Sequence, residues 1–243
     1  MEHGSGVGVI DKSVALLAVL AEGPAPLNEL ASRSGIPRPT THRLAVALEH
    51  HGLLDRDDAG RFMLGPRILE FARAEDNEAL SEVAQPHLDR LRSLTGESTQ
   101  LYIRRDDRRI CLAVSESTRG LRDTVPVGAT LSLAAGSAAQ VLLAWADLAD
   151  AAPYLSGAAF DASTLTRVRH QGWAASVAER EEGVASVSAP VFDGNAALVA
   201  AISVSGPIDR LTRQPGRVHA AAVQQVATDL SAAVAVSRSP TAR

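Results

Sequence analysis

Three residues, Gly35-Ile36-Pro37, set between two short runs of helical period, leave this chain few ways to fold. Before them, "LNELASRSG" brings Leu27, Leu30 and Ala31 to one side; after them, Thr41, Leu44, Ala45 and Leu48 recur at i, i+3, i+4 and i+7. Glycine ends a helix in a left-handed turn, and Pro37 or Pro39 starts the next without losing an internal hydrogen bond. The spacing therefore predicts two helices joined by a tight turn, with Ile36 and Leu44 closing a small core. Upstream, "DKSVALLAVLAEG" predicts another short helix, N-capped by Asp11, packing Val14, Leu17 and Leu20 and stopped at Gly23-Pro24. Downstream, "GLLDRDDAGRFMLG" sets Leu53-Leu54 and Phe62-Met63-Leu64 around a polar turn, a hairpin pattern. Three helices and a hairpin make a winged helix-turn-helix over residues 1–65, with residues 1–8 as a flexible arm.

The turn of helix that follows Pro37 is the chemically pointed part. Arg38, Thr40, His42 and Arg43 fall off the apolar stripe; Thr41 shares their turn but lies on the stripe. Guanidinium, hydroxyl and imidazole groups at the head of such a helix can reach phosphates and major-groove base edges, so Arg38, Thr40, Thr41, His42 and Arg43, with Arg61 on the wing, are the candidate DNA contacts. Arg43 is the candidate base reader. The alternative for an isolated Arg-rich helix is a solvated face. Overall charge does not advertise a nucleic-acid partner, since the chain carries a formal −4. From Ala31 to Ile68, however, six arginines meet four acids, a local +2. That 23 of the 24 basic residues are Arg accords with an Ala-rich composition and argues nothing by itself.

With 243 residues and 46% hydrophobic content the chain can bury the core of one large domain or two ordinary ones. No apolar run approaches the roughly 20 residues that span a bilayer, and "MEHGSGVGVIDK" lacks the pattern of a signal peptide, so the expectation is a cytoplasmic protein without a membrane partner. The lone Cys111 has no disulfide partner and is expected to be a buried thiol. No cofactor or metal is expected: His50 and His51 point apart on a helix, and the glycines of "GSGVG" follow no strand. Neither a G-x-S-x-G elbow nor an H-E-x-x-H helix occurs, which argues against an enzyme.

From Pro66 a linker helix is predicted over 66–79, broken at Glu75-Asp76-Asn77-Glu78, which is read as the domain boundary. An α+β domain over 80–236 and a tail at 237–243 follow. The α+β expectation rests on a hairpin turning at Asp106-Asp107, an extended "LRDTVPVGATLSL", helices over Ala134 to Trp145 and Ser163 to Gln171, two strands joined at Asp193-Gly194-Asn195, and a final helix from about Gly216 to Val236. Ser186 and Ser188 share one face of their strand, and Ser203 and Ser205 one face of the next. Clustered hydroxyls can line a cavity for a polar ligand, or lie on a solvent-facing sheet surface.

Several blocks now carry a resemblance: "SVALLAVLAEGPAPLNELASRSGIPRPTTHRL", the wing "GRFMLG", "LRDTVPVG", "AAGSA" and "EREEGVASVSAPVFDGNAALVAAISVSGP". In content and order they resemble the IclR family of bacterial transcription regulators. The resemblance implies a winged helix-turn-helix, a linker helix and a GAF-like α/β effector-binding domain, assembled as a dimer or tetramer on a palindromic operator in double-stranded DNA. It places Thr40, His42 and Arg43 in the recognition-helix segment, and Ser176, Ser186, Ser203 and Ser205 among the effector contacts, with Ser188 beside them. Family members commonly carry an acidic residue at Ser176, Cys at Ser186, Lys at Ser137, and His and Thr at Leu131 and Leu133, so a different effector is expected. "RPTTHRLAVALEHHG", "GLRDTVPVG" and "GPIDRLTRQPGR" look most like actinobacterial NdgR-type regulators of leucine and other amino-acid biosynthesis genes. An amino acid or its oxo-acid would suit such a pocket, its carboxylate near Arg122 or Arg180 and its side chain enclosed by Leu121, Leu131 and Leu133, unless these leucines are core.

Overall fold

A computed structural model describes residues 5–237, with all of their side chains except those of Arg73, Ala74 and Leu148. Residues 1–4 of the predicted arm and 238–243 of the predicted tail lie outside the described residues. The chain forms two compact units, one ending at Asn77 and one beginning at Glu78.

The first unit holds α1 (Gly8–Ala21), α2 (Leu27–Ser34), α3 (Arg38–His50), β1 (Leu54–Arg56) and β2 (Phe62–Leu64). Gly35 ends α2 at φ 68°, a conformation that costs a glycine nothing, and Pro37 caps α3 with Pro39 one residue inside it. The two strands pair in register Leu54 to Leu64, and Ala25 adds a two-way backbone bridge to Phe62. Leu16, Leu20, Leu30, Ile36, Ala45, Leu48, Leu54 and Phe62 form the core. Two details of α1 depart from the sequence expectation. The helix starts at Gly8, so Asp11 lies within its first turn, where its carboxylate accepts from the Ser5 N–H at 3.0 Å. The stripe turns on Leu16 and Leu20, leaving Val14 exposed alongside Val7, Val9 and Ile10.

Helix α4 (Pro66–Thr95) is continuous for 30 residues. The helix is not interrupted at Glu75, Asp76, Asn77 and Glu78, which are hydrophilic without being strong helix breakers, whereas the division between the two compact units does fall in this stretch. The second unit then builds β3 (Ser98–Arg105), β4 (Arg108–Ser115), β5 (Thr130–Ser132), α5 (Ser137–Ala144), α6 (Leu148–Leu155), α7 (Ala162–Gln171), β6 (Ala174–Val177), β7 (Val184–Phe192), β8 (Leu198–Pro207), α8 (Ile208–Leu211) and α9 (Pro215–Ser237). The last helix thus reaches Ser237, placed at the start of the tail by sequence. Six strands form one antiparallel sheet in the order β5-β4-β3-β8-β7-β6.

Period-two alternation splits the sheet between two cores. Val187, Ala189, Ile202 and Val204 face Leu88, Leu91, Val223 and Leu230 of α4 and α9. The opposite face packs Tyr102, Cys111 and Ala201 against Leu142, Leu143, Leu165 and Val168 of α5 and α7. This second face also carries the serines. Asp161 starts α7 by accepting the Thr164 N–H at 2.8 Å, and Gly172 ends it at φ 78°.

Candidate functional site

In the first unit, the buried stripe of α3 fixes which side chains face outward. Thr41, Ala45 and Leu48 are buried, which turns His42 and Arg43 to solvent and leaves Thr40 half-buried. Among the described residues the side chains of His42 and Arg43 make no hydrogen bond or ion pair. Arg38 is also exposed, but its Nε donates to Asn28 Oδ1 at 2.7 Å. Arg61 sits beside the wing turn and pairs with Asp57 at 2.7 Å. Thr41 is a correction to the sequence reading: fully buried, its hydroxyl donates to the Ile36 carbonyl at 3.1 Å, so it holds the turn and offers nothing to DNA.

In the second unit, register brings the serines together. Ser186 stands opposite both Ser176 and Ser205, and Ser188 opposite Ser203. Ser137, the first residue of α5, joins them from above: its hydroxyl lies 2.6 Å from Ser186 and 2.7 Å from Ser188. Ser176 to Ser186 at 2.8 Å and Ser188 to Ser203 at 2.9 Å complete a chain of five hydroxyls, and Ser205 donates to Gln100 at 3.1 Å. The serine face is thus interior, and the solvent-facing alternative falls away.

Ser176, Ser186, Ser203 and Ser205 line an enclosed cavity of about 20 Å³ together with Tyr102, Arg109, Asp123, Ser137 and Arg180; Ser188 lies fully buried behind them. That volume admits about one water. The predicted hydrophobic wall is absent. Leu121 is 71% exposed and contributes only its carbonyl, to Arg210; Leu133 belongs to the second core and Leu131 packs beside it. Arg122 pairs with Glu116 away from the cavity, whereas Arg180 lines it and holds Asp123 through two bonds at 2.6 and 2.7 Å.

Arg109 is the residue that sequence reasoning missed. It is 3% exposed, one terminal nitrogen donates to the Ser132 and Ala135 carbonyls at 2.6 and 2.7 Å, and its Nε has no partner among the described residues. Among the described residues no carboxylate pairs with it, and burial pushes its pKa down to about 10. Beside it the N-terminus of α5 offers the cavity an N–H at Ala138 that finds no acceptor among the described residues. An unpaired buried cation, a helix N-terminus and a set of hydroxyls together suit a carboxylate. Burial also raises the pKa of Tyr102 and of Glu179, and carries the Cys111 thiol up to about 12, an inert core group. Among the described residues no cluster of His, Cys, Asp and Glu could hold a metal ion, and no helix is long and apolar enough to cross a membrane.

Residues 9–58 match the IclR helix-turn-helix domain, and residues 72–232 match the C-terminal domain of the bacterial transcriptional regulator IclR. The HTH-type transcriptional regulator KipR of Bacillus subtilis is 29% identical over 233 residues, covering 88% of this chain and 93% of the relative. Among solved structures, an IclR-family regulator from a Rhodococcus species is similar with a TM-score of 0.63 at 26% identity, over 96% of this chain and 95% of that one. An IclR homolog from Microbacterium hydrocarbonoxydans, complexed with 4-hydroxybenzoate, shares the fold with a TM-score of 0.59 at 21% identity, over 94% of this chain and 99% of that one.

Proposed function

The chain belongs to the IclR family of DNA-binding transcriptional regulators, and is not an enzyme; from that premise we propose that α3 reads an operator while the Arg109–serine cavity takes a small carboxylate that tunes the reading. Arg43 makes the base contact, with Thr40 and His42 beside it, and Arg38 and Arg61 hold phosphates. The protein acts in the cytoplasm as a dimer or tetramer on an imperfect palindrome, since one winged helix with a modest local charge binds a half-site weakly and two copies act together. The exposed Val7, Ile10 and Val14, one helical face of α1, support self-association.

The observation that carries the effector half is Arg109, a buried guanidinium with a free donor and no counter-ion in contact among the described residues. An amino acid or its oxo-acid precursor supplies the missing anion, and the regulated genes are those of amino-acid biosynthesis, leucine among them. That last step rests on the resemblance of the α3 segment and "GLRDTVPVG" to NdgR-type regulators.

Band shifts on the DNA upstream of the protein's own gene test the reading. Binding should fall steeply with salt, as phosphate contacts require. Arg43→Ala should cost about 1 to 3 kcal/mol of discrimination between operator and unrelated DNA. Branched-chain amino acids, methionine and their oxo-acids, added to wild type and to Arg109→Met, should shift operator affinity only in the wild type. Full sequence preference in Arg43→Ala, or an undiminished ligand response in Arg109→Met, would sink the corresponding half.

A further inference from the structure

The cavity as it stands admits one water, whereas pockets for small molecules commonly run to ~300 Å³ or more. Something in its wall must move, and one turn holds two of the closing contacts. Ala178 leaves β6 at φ 56°, a left-handed conformation that disfavours any residue with a Cβ, and its N–H donates to the Val184 carbonyl at 2.8 Å. The next two side chains hold residues of the cavity wall, Glu179 through Gly136 and Arg180 through Asp123. The Glu179 carboxylate accepts the Gly136 N–H at 2.9 Å and the Gln140 side-chain amide at 3.0 and 3.2 Å, which sets an anion on the N-terminus of α5. Arg180 grips Asp123, which lies on the segment between β4 and β5.

A ligand carboxylate drawn to Arg109 and the Ala138 N–H arrives at this same helix terminus. Two carboxylates there repel each other and compete for one dipole. We propose that Glu179 is an internal stand-in for the effector's carboxylate: it holds the head of α5 in the ligand-free protein, and an acidic ligand enters by displacing it. The displaced side chain has a place to go. Glu179 lies behind the cavity wall and lines an open cleft of about 530 Å³ shared with Arg213 and Arg217, neither of which has an ion-pair partner among the described residues. The 178–183 turn thus has two electrostatically supported positions, and leaving the first relaxes Ala178 and draws Arg180 from Asp123. Effector recognition becomes an exchange of one carboxylate for another, which favours monoanionic acids over uncharged analogues of the same shape. This inference rests on the assignment of the Arg109–serine cavity as the effector site.

The test uses the full chain and acetate as the probe, with acetamide as its uncharged counterpart, titrated by calorimetry into wild type, Glu179→Gln and Glu179→Ala. With no charged competitor to displace, both variants should bind acetate about ten-fold more tightly than wild type, with acetamide unaffected. Glu179→Gln keeps an acceptor for the Gly136 N–H and so preserves the fold should Glu179→Ala lose it. Acetate binding to Glu179→Gln that is absent, equal to wild type or weaker overturns the proposal. Adding Arg109→Met separates the two ideas. Tightened acetate binding that survives Arg109→Met supports the exchange at α5 and removes the cavity assignment. An oxo-acid response lost in Arg109→Met, with no tightening in the Glu179 variants, keeps the cavity and overturns the exchange.

Discussion

Replacing Glu97 with Gln should be among the more damaging neutralisations in the second unit, and its cost can be worked from three contacts. Glu97 is 2% exposed at the entry to β3; Oε1 accepts from Arg119 at 2.8 Å and from Arg210 Nε at 2.5 Å, and Oε2 accepts from the other fork of Arg210 at 2.8 Å. The partners differ in burial, with the Arg119 side chain 51% exposed and that of Arg210 28%. A half-exposed pair like Arg119–Glu97 is worth under about 1 kcal/mol. The two parallel bonds of the more enclosed Arg210 are worth about 1 to 2 kcal/mol. Glu97→Gln weakens both and turns an amide N–H toward a guanidinium, for a total of about 2 to 3 kcal/mol. Both tryptophans, Trp145 and Trp173, belong to this unit, so urea unfolding followed by their fluorescence reports it selectively. The expected order of loss is Glu97→Gln, then Arg210→Ala, then Arg119→Ala, nearly unchanged in high salt because the carboxylate is shielded from it. A larger loss from Arg119→Ala than from Arg210→Ala would refute the burial argument, as would a loss below about 1 kcal/mol for Glu97→Gln.

Two further outcomes can be stated. Thr41→Val keeps the shape of a buried residue and removes its hydroxyl bond to the Ile36 carbonyl, so the first unit should lose about 1 kcal/mol in thermal melts while operator preference in band shifts stays as in wild type. Hydrogen bonds from Thr164 and Ser163 hold the Asp161 carboxyl at about 2, below the ordinary value near 4. Its capping contribution is therefore complete above the ordinary value and fades as pH falls through the lower one, so the stability gap between wild type and Asp161→Ala should be constant from neutral pH to about 5, shrink below that and close only below pH ~2. A gap that widened on acidification would contradict the assignment.

What was legible in the sequence had a short-range cause. Gly35 and Pro37 act within one turn, and the serine alternation within β7 and within β8 follows from a period of two; which serines stand opposite each other was not legible, because the register is set by the five residues 193–197 and a bulge between Val191 and Phe192. The cavity was only half legible because its charged half is assembled over long separations. Arg109 comes from β4, Asp123 from the segment after it and Arg180 from the turn after β6, and nothing local distinguishes Arg109 from its neighbours Arg104, Arg105 and Arg108. Ser137 was hidden inside an Ala-rich helix, where its hydroxyl matters only because α5 crosses the serine face. Leu121 misled in the opposite direction: apolar identity suggested enclosure, yet the backbone of its segment is held by Arg210 with the side chain left in water. Helix α6 carries Pro153 inside its eight residues, and such a short, proline-bearing run gives no clear period to read.

The two outermost strands of the six-stranded sheet have a consequence for how the protein behaves at high concentration. β5 contributes three residues and β6 four, against eight to ten in each strand between them. A long flat border would present a row of unpaired amides to any passing chain, a template for end-to-end stacking into fibres. Here each border offers no more than two repeats of the pleat, and Ala178, in the left-handed region, follows directly on the end of β6. Short borders of this kind give another strand little to pair with, which disfavours growth of the sheet by edge addition.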